Sequence, residues 1–178
     1  MNTLVLGYGN PLRGDDGVGW VVAERLHGAA GITAVPLHQL LPEHADLMQT
    51  AVHVIFVDAT VMGEPGAVQV QPLAPDRQGL AASHQMSPGV LLAMVGELYG
   101  RCPPAHLITI TGQDFGYSET LSPPVQESVE QVIEMVRSNR FSSATTKPGK
   151  VSFRRVFEEE SRLLLRWWDS SLRRLRSE

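Results

Sequence analysis

Over residues 1–140, short apolar runs alternate with longer stretches in which apolar positions recur at three-to-four spacing. The runs Thr3 to Gly7, Thr33 to Leu37, Val52 to Val57, Ala67 to Val70 and Leu107 to Ile110 are rich in β-branched residues and predict strands. Helical spacing covers Gly17 to Leu26, Pro42 to Thr50, Pro88 to Leu98 and Pro124 to Val136. The last three carry proline near the first turn, where its missing N–H is harmless. Strand and helix alternate, so the expected fold class is α/β, with three layers: an open, twisted, mostly parallel sheet and helices on both of its faces. In such sheets ligands lie beyond the carboxyl ends of the strands, and functional side chains belong on the loops that follow them.

The pattern breaks at 141–150, where Ser-Ser-Ala-Thr-Thr-Lys-Pro-Gly-Lys is polar, rich in turn residues and without period; this reads as a linker. Beyond it, over 151–178, Phe153, Phe157, Leu164, Trp168, Leu172 and Leu175 recur at three-, four- or seven-residue steps. Arginines fill the other faces. This predicts a basic, amphipathic C-terminal helix, suited to folding back on the domain, to self-association or to docking. The expected organisation is therefore an α/β domain over 1–140, the linker, and the helical extension.

A chain of 178 residues with 43% hydrophobic content can bury one sizeable core but not two ordinary domains. A formal net charge of -4 argues against a general nucleic-acid binder, whose affinity depends on clustered positive charge. The single cysteine, Cys102, excludes an internal disulfide and a multi-cysteine zinc site. No run approaches the roughly 20 apolar residues of a membrane-spanning helix, and no signal sequence is recognisable at Met1. The expectation is a soluble, cytoplasmic protein with no membrane insertion.

The richest chemistry follows the first strand. Gly7-Tyr8-Gly9-Asn10-Pro11-Leu12-Arg13-Gly14-Asp15-Asp16-Gly17-Val18-Gly19 joins a strand to a helix, as anion-cradling loops do. Leu12 stands where a dinucleotide fingerprint needs its third glycine, and Asp15 stands where a Walker loop needs lysine. Carboxylates at 15 and 16 would repel phosphate, so the loop reads as one turned towards a cation. Asp58 closes the third predicted strand, and His84 lies in a polar loop before a helix. If the first and third strands are neighbours, Asp16 and Asp58 meet at the switch point and His84 can reach over them. Two carboxylates and one imidazole suit nickel, zinc, manganese or iron. Asp15 is also a good N-cap for the following helix, and Glu43 reads as a carboxylate complementing a helix dipole. His27, His38, His44, His53 and His106 lack an acidic setting and read as structural or surface residues.

Together, Gly7-x-Gly9-Asn10-x-Leu12-x-x-Asp15-Asp16-Gly17-x-Gly19, Gln39-Leu40-Leu41-Pro42-Glu43, Val57-Asp58-Ala59 and Ser83-His84 resemble the nickel-iron hydrogenase maturation peptidases. The resemblance covers about residues 1 to 140 and rests chiefly on the first motif. It implies an endopeptidase that removes the C-terminal extension of a nickel-loaded hydrogenase large-subunit precursor. Asp16, Asp58 and His84 would be both catalytic and metal-contacting. It also implies no permanent cofactor, the nickel being presented by the precursor. Two other classes remain open to the sequence: a non-catalytic nickel carrier using the same cluster, and an open α/β nucleotide-binding module.

Overall fold

The computed structural model describes residues 2–82 and 86–141. His84 and the whole extension 151–178 lie outside them, as does the expected linker apart from Phe141. The described chain runs β1 (Thr3–Tyr8), α1 (Val18–Arg25), β2 (Ile32–Leu37), α2 (Ala45–Met48), β3 (His53–Thr60), β4 (Val68–Leu73), α3 (Arg77–Ala82), α4 (Pro88–Tyr99), β5 (Ala105–Thr111) and α5 (Pro123–Arg137). Short 3-10 turns at Gly14–Gly17 and Pro42–His44 lead into α1 and α2.

The strands form one sheet in the order β2-β1-β3-β5-β4, parallel except for β4, which pairs antiparallel with β5. Strand periodicity sorts the side chains between two cores. Val5, Ile55, Val57, Ile108 and Ile110 face α1 and α5, meeting Val18, Val22, Leu26, Val125, Val129 and Val132. Leu4, Leu6, Val54, Phe56 and Leu107 face α2 and α4, meeting Met48, Leu91, Leu92 and Val95. The central strands are apolar throughout because helices cover both of their faces. In β4, by contrast, half-buried Val68 and Val70 alternate with exposed Gln69 and Gln71, as suits an edge strand. The other edge, β2, carries Pro36. Since Gly31 and Leu37 turn their carbonyls to β1, Pro36 faces outward, where its missing N–H interrupts no ladder.

Helix ends follow local chemistry. In α4, Ser87 accepts the Val90 N–H at 3.2 Å, Pro88 occupies the first turn, and Gly100 closes the helix in the left-handed region. In α5, Val125, Val129, Val132, Ile133 and Val136 make one buried stripe. Phe141, just beyond it, is buried against the rings of His53 and His106. Among the described residues no helix is long and apolar enough to cross a membrane.

Several elements differ from the sequence reading. Pro42 to Thr50 is one 3-10 turn and one α-turn, stopped where Arg101 donates to the carbonyls of Gln49 and Ala51 at 2.8 and 2.9 Å. The first helix begins at Val18 because Gly14–Gly17 winds more tightly. Asp58 does not end β3: pairing with β5 carries the strand on to Thr60, whereas pairing with β1 stops at Val57. Helix α3 was not expected; its first turn is held by Asp76, which accepts the N–H groups of Gln78 and Gly79.

Candidate active site

The chain passes from β1 through α1 to β2 on one side, and then places β3 on the other side of β1. That reversal opens a crevice at the carboxyl ends of β1 and β3. The loop 9–17 follows β1 at that end. Helix α1 can settle there only because Gly7 and Gly19 face each other. A Cβ on Gly7 would come within 1.9 Å of the Gly19 carbonyl oxygen, and one on Gly19 within 2.3 Å of the Val57 oxygen.

Asp16 lies in the 3-10 turn, which contacts β3. Its Oδ2 accepts the Asn10 N–H at 2.9 Å, and Asn10 Oδ1 in turn accepts the Leu12 N–H at 3.0 Å. Among the described residues, Asp16 Oδ1 accepts no hydrogen bond. Asp58 follows the parity of Val54 and Phe56, and so stands on the α2/α4 face beside Tyr8, its Oδ1 accepting the Ala59 N–H at 2.8 Å. Asp16 and Asp58 are thus brought to the same end of the same strand pair. Among the described residues, no three His, Cys, Asp or Glu side chains gather as a metal-binding group. The third member expected from sequence, His84, lies outside those residues.

The loop is not an anion cradle. Gly9 donates its N–H to Leu37 O, Asn10 to Asp16 Oδ2, Leu12 to Asn10 Oδ1 and Arg13 to Asn10 O. Gly14 donates to Ser118 O, Asp15 to Asp114 O and Asp16 to Arg13 O. Pro11 has no N–H, so every amide from 9 to 16 is already committed inside the protein. A phosphate would find no free backbone N–H from 9 to 16, which speaks against the nucleotide-binding reading for this loop.

Asp15 does not cap the following helix. Its side chain is fully buried and turned towards the loop between β5 and α5. Oδ2 accepts the N–H of Gln113 at 2.7 Å, the N–H of Asp114 at 2.9 Å and the hydroxyl of Ser122 at 2.8 Å, while Oδ1 accepts the Ser122 N–H at 2.7 Å. Burial alone would raise this carboxyl, but the bonds from Asp114, Ser122 and Gln113 outweigh it and hold the group below the ordinary carboxylate range. Ser122 begins α5 yet spends its hydroxyl on Asp15 instead of its own helix. Sequence reasoning missed this contact; it begins the helix at Pro124 and gives Ser122 no part.

Of the other residues singled out, Glu43 is exposed in its 3-10 turn, and His44 Nδ1 accepts the Leu41 N–H at 2.9 Å. His38 rests on Trp20 with ring centroids 4.8 Å apart. His53 and His106 share a hydrogen bond of 2.8 Å. That pair lies towards the amino ends of β3 and β5, at the far end of the sheet from Asp16. The Cys102 thiol is pushed up by burial, which leaves it a poor nucleophile.

No family model matches the chain, and no curated protein matches it in sequence. Solved structures do. The hydrogenase maturating endopeptidase HybD from Escherichia coli is 23% identical, with a TM-score of 0.62 over 80% of this chain and 94% of that one. The fold is that of the hydrogenase maturation proteases. The NiFe hydrogenase maturation protease HycI from Thermococcus kodakarensis is 23% identical, with a TM-score of 0.61 over 77% of this chain and 90% of that one. A hydrogenase 2 maturation peptidase from a Thaumarchaeota archaeon is 24% identical, with a TM-score of 0.59 over 79% and 98% of the two chains. At these identities the likeness is one of fold. Each match spans 90% or more of the other protein and 77–80% of this chain.

Proposed function

We propose that this protein is an endopeptidase that removes the C-terminal extension of a NiFe-hydrogenase large-subunit precursor carrying its nickel, and that Asp16, Asp58 and His84 meet that nickel. The observation that carries the reading is the placement of Asp16 and Asp58 at the same carboxyl end of the neighbouring strands β1 and β3, in a fold shared with proteins named as maturation proteases. The committed amides of the loop support it further, because they leave carboxylates and not backbone N–H groups as the chemistry on offer.

The nickel belongs to the substrate and serves at least as its recognition element. Ionised Asp16 and Asp58 attract the cation and fix the precursor so that the scissile bond lies at the crevice. A carboxylate then takes the proton of the attacking water as general base, a role whose loss lowers rates by about 10²–10⁴-fold. The proton passes on to the departing amine. Where the nickel itself polarises the scissile carbonyl, the same residues hold it there.

The test mixes purified protein with a nickel-loaded precursor and with a nickel-free control, and reads the intact mass of each product. Loss of a C-terminal fragment from the loaded precursor alone is the expected result. Asp16→Asn and Asp58→Asn should each slow that cleavage by at least about 100-fold while leaving the far-ultraviolet circular dichroism unchanged. Transfer of nickel without cleavage would replace this reading with that of a nickel carrier.

A further inference from the structure

We propose that Asp15 is a positioning residue for Asp16: its buried carboxylate clamps the loop between β5 and α5 onto the loop after β1, and so fixes the backbone from which Asp16 projects. The inference rests on the role given to Asp16 above. The two loops are stitched at several points. Asp15 N donates to Asp114 O at 2.8 Å, Gly14 N to Ser118 O at 2.7 Å, and Ser118 N to Leu12 O at 3.1 Å. Among the described residues, only Asp15 contributes a side chain that gathers three amides and a hydroxyl from the far loop at once.

The chemistry of that set asks for a carboxylate. All four partners are donors, and a carboxylate is acceptor-only, with room for about four hydrogen bonds on its two oxygens. An asparagine of nearly the same size would turn its NH₂ towards at least one N–H or O–H donor, and that donor would be left buried and unpaired. Space allows little adjustment, because a Cβ on Gly112 would already meet Asp15 Cβ at 3.0 Å and Phe115 Cζ at 2.4 Å. The near loop is equally tight around Asp16. Gly9, at φ +137°, lies against the Asp16 carbonyl oxygen, where a Cβ would come within 1.8 Å. Asp16 therefore has a defined place only while residues 9–16 keep their shape, and the far loop, held through Asp15, braces that shape. Misplacing a catalytic group by about an ångström can cost 10²-fold in rate, so the clamp is expected to act on turnover more than on precursor affinity.

The experiment compares the full-length wild type, Asp15→Asn and Ser122→Ala, each below its own unfolding midpoint. It measures the maximal cleavage rate of nickel-loaded precursor, the half-saturating precursor concentration, and hydrogen exchange at the Asn10 amide, which bonds Asp16. Asp15→Asn should lower the maximal rate about 10- to 100-fold with half-saturation unchanged, and Asn10 should exchange at least tenfold faster. Ser122→Ala, which removes one of the four bonds, should fall between the two. A folded Asp15→Asn protein with a lowered midpoint but unaltered rate and Asn10 exchange would reduce Asp15 to a stabilising residue and overturn the proposal. If Asp15→Asn does not fold, Ser122→Ala decides by the same two readouts. A wild type that cleaves no verified precursor would remove the proposed function, while Asn10 exchange would still report whether Asp15 sets the Asp16 loop.

Discussion

Gly7→Ala gives the most direct measure of what the glycine motif does. The added Cβ would sit 1.9 Å from the Gly19 carbonyl oxygen, 2.7 Å from its carbonyl carbon and 2.9 Å from Ala23 Cβ. Ordinary contact begins at 3.4 Å, so α1 would have to lift by about 1.5 Å. The opposing atoms of Gly19 are backbone, and no rotamer change relieves them. Lifting α1 would open a gap under Val18, Val22, Ala23 and Leu26, all with no exposed surface. A gap of 0.5–1 Å already forfeits a quarter to a half of each dispersion contact. Inserting a methyl group into a packed core ordinarily costs about 1–3 kcal/mol, and a backbone-against-backbone clash places this one at or above that range, at about 3–5 kcal/mol. Against a total stability of about 5–15 kcal/mol, such a loss is large. Urea unfolding followed by circular dichroism measures it. Gly96→Ala serves as the control, because a Cβ there meets nothing within 4 Å and the residue lies inside α4. That change should be neutral or stabilise by up to about 1 kcal/mol. A Gly7→Ala protein within about 1 kcal/mol of wild type, with an unchanged slope against urea, would refute the packing account.

Two predictions concern the far end of the sheet. Burial lowers the pKa of both His53 and His106, with His106 adding further repulsion at His53. Below about pH 6.5 the unfolded chain therefore takes up protons that the folded one refuses, and stability falls as pH falls from 7 towards 5.5. His106→Gln should flatten that part of the profile of thermal midpoint against pH, and an identical profile would count against the pair. Arg101→Met should cost about 1 kcal/mol in urea unfolding, because it releases the carbonyls of Gln49 and Ala51 at the end of α2. Unchanged stability would show that water replaces the guanidinium without loss.

What the sequence made legible is what depends on near neighbours. The period of α5 survives intact because a single face of that helix is buried. That Asp16 and Asp58 lie at the same end of one strand pair was readable because it needs only that β1 and β3 be adjacent and parallel. The two-residue extension of β3 past Asp58 was not, since it is set by β5, whose Thr109–Thr111 lie some fifty positions further on. Asp15 is the extreme case, with Ser122 107 residues away. Locally Asp15 has every mark of a helix cap, and only the fold turns it elsewhere. The glycines teach the same distinction. Their spacing resembles an anion-binding loop because both kinds of loop must bring a strand, a tight turn and a helix into backbone contact, and here Gly7, Gly9 and Gly19 serve that contact. Glycine spacing thus reports packing. What decides the chemistry is whether the amides that the glycines bring together stay open to a ligand or are consumed within the loop, and here Asp16 itself consumes the amide of Asn10.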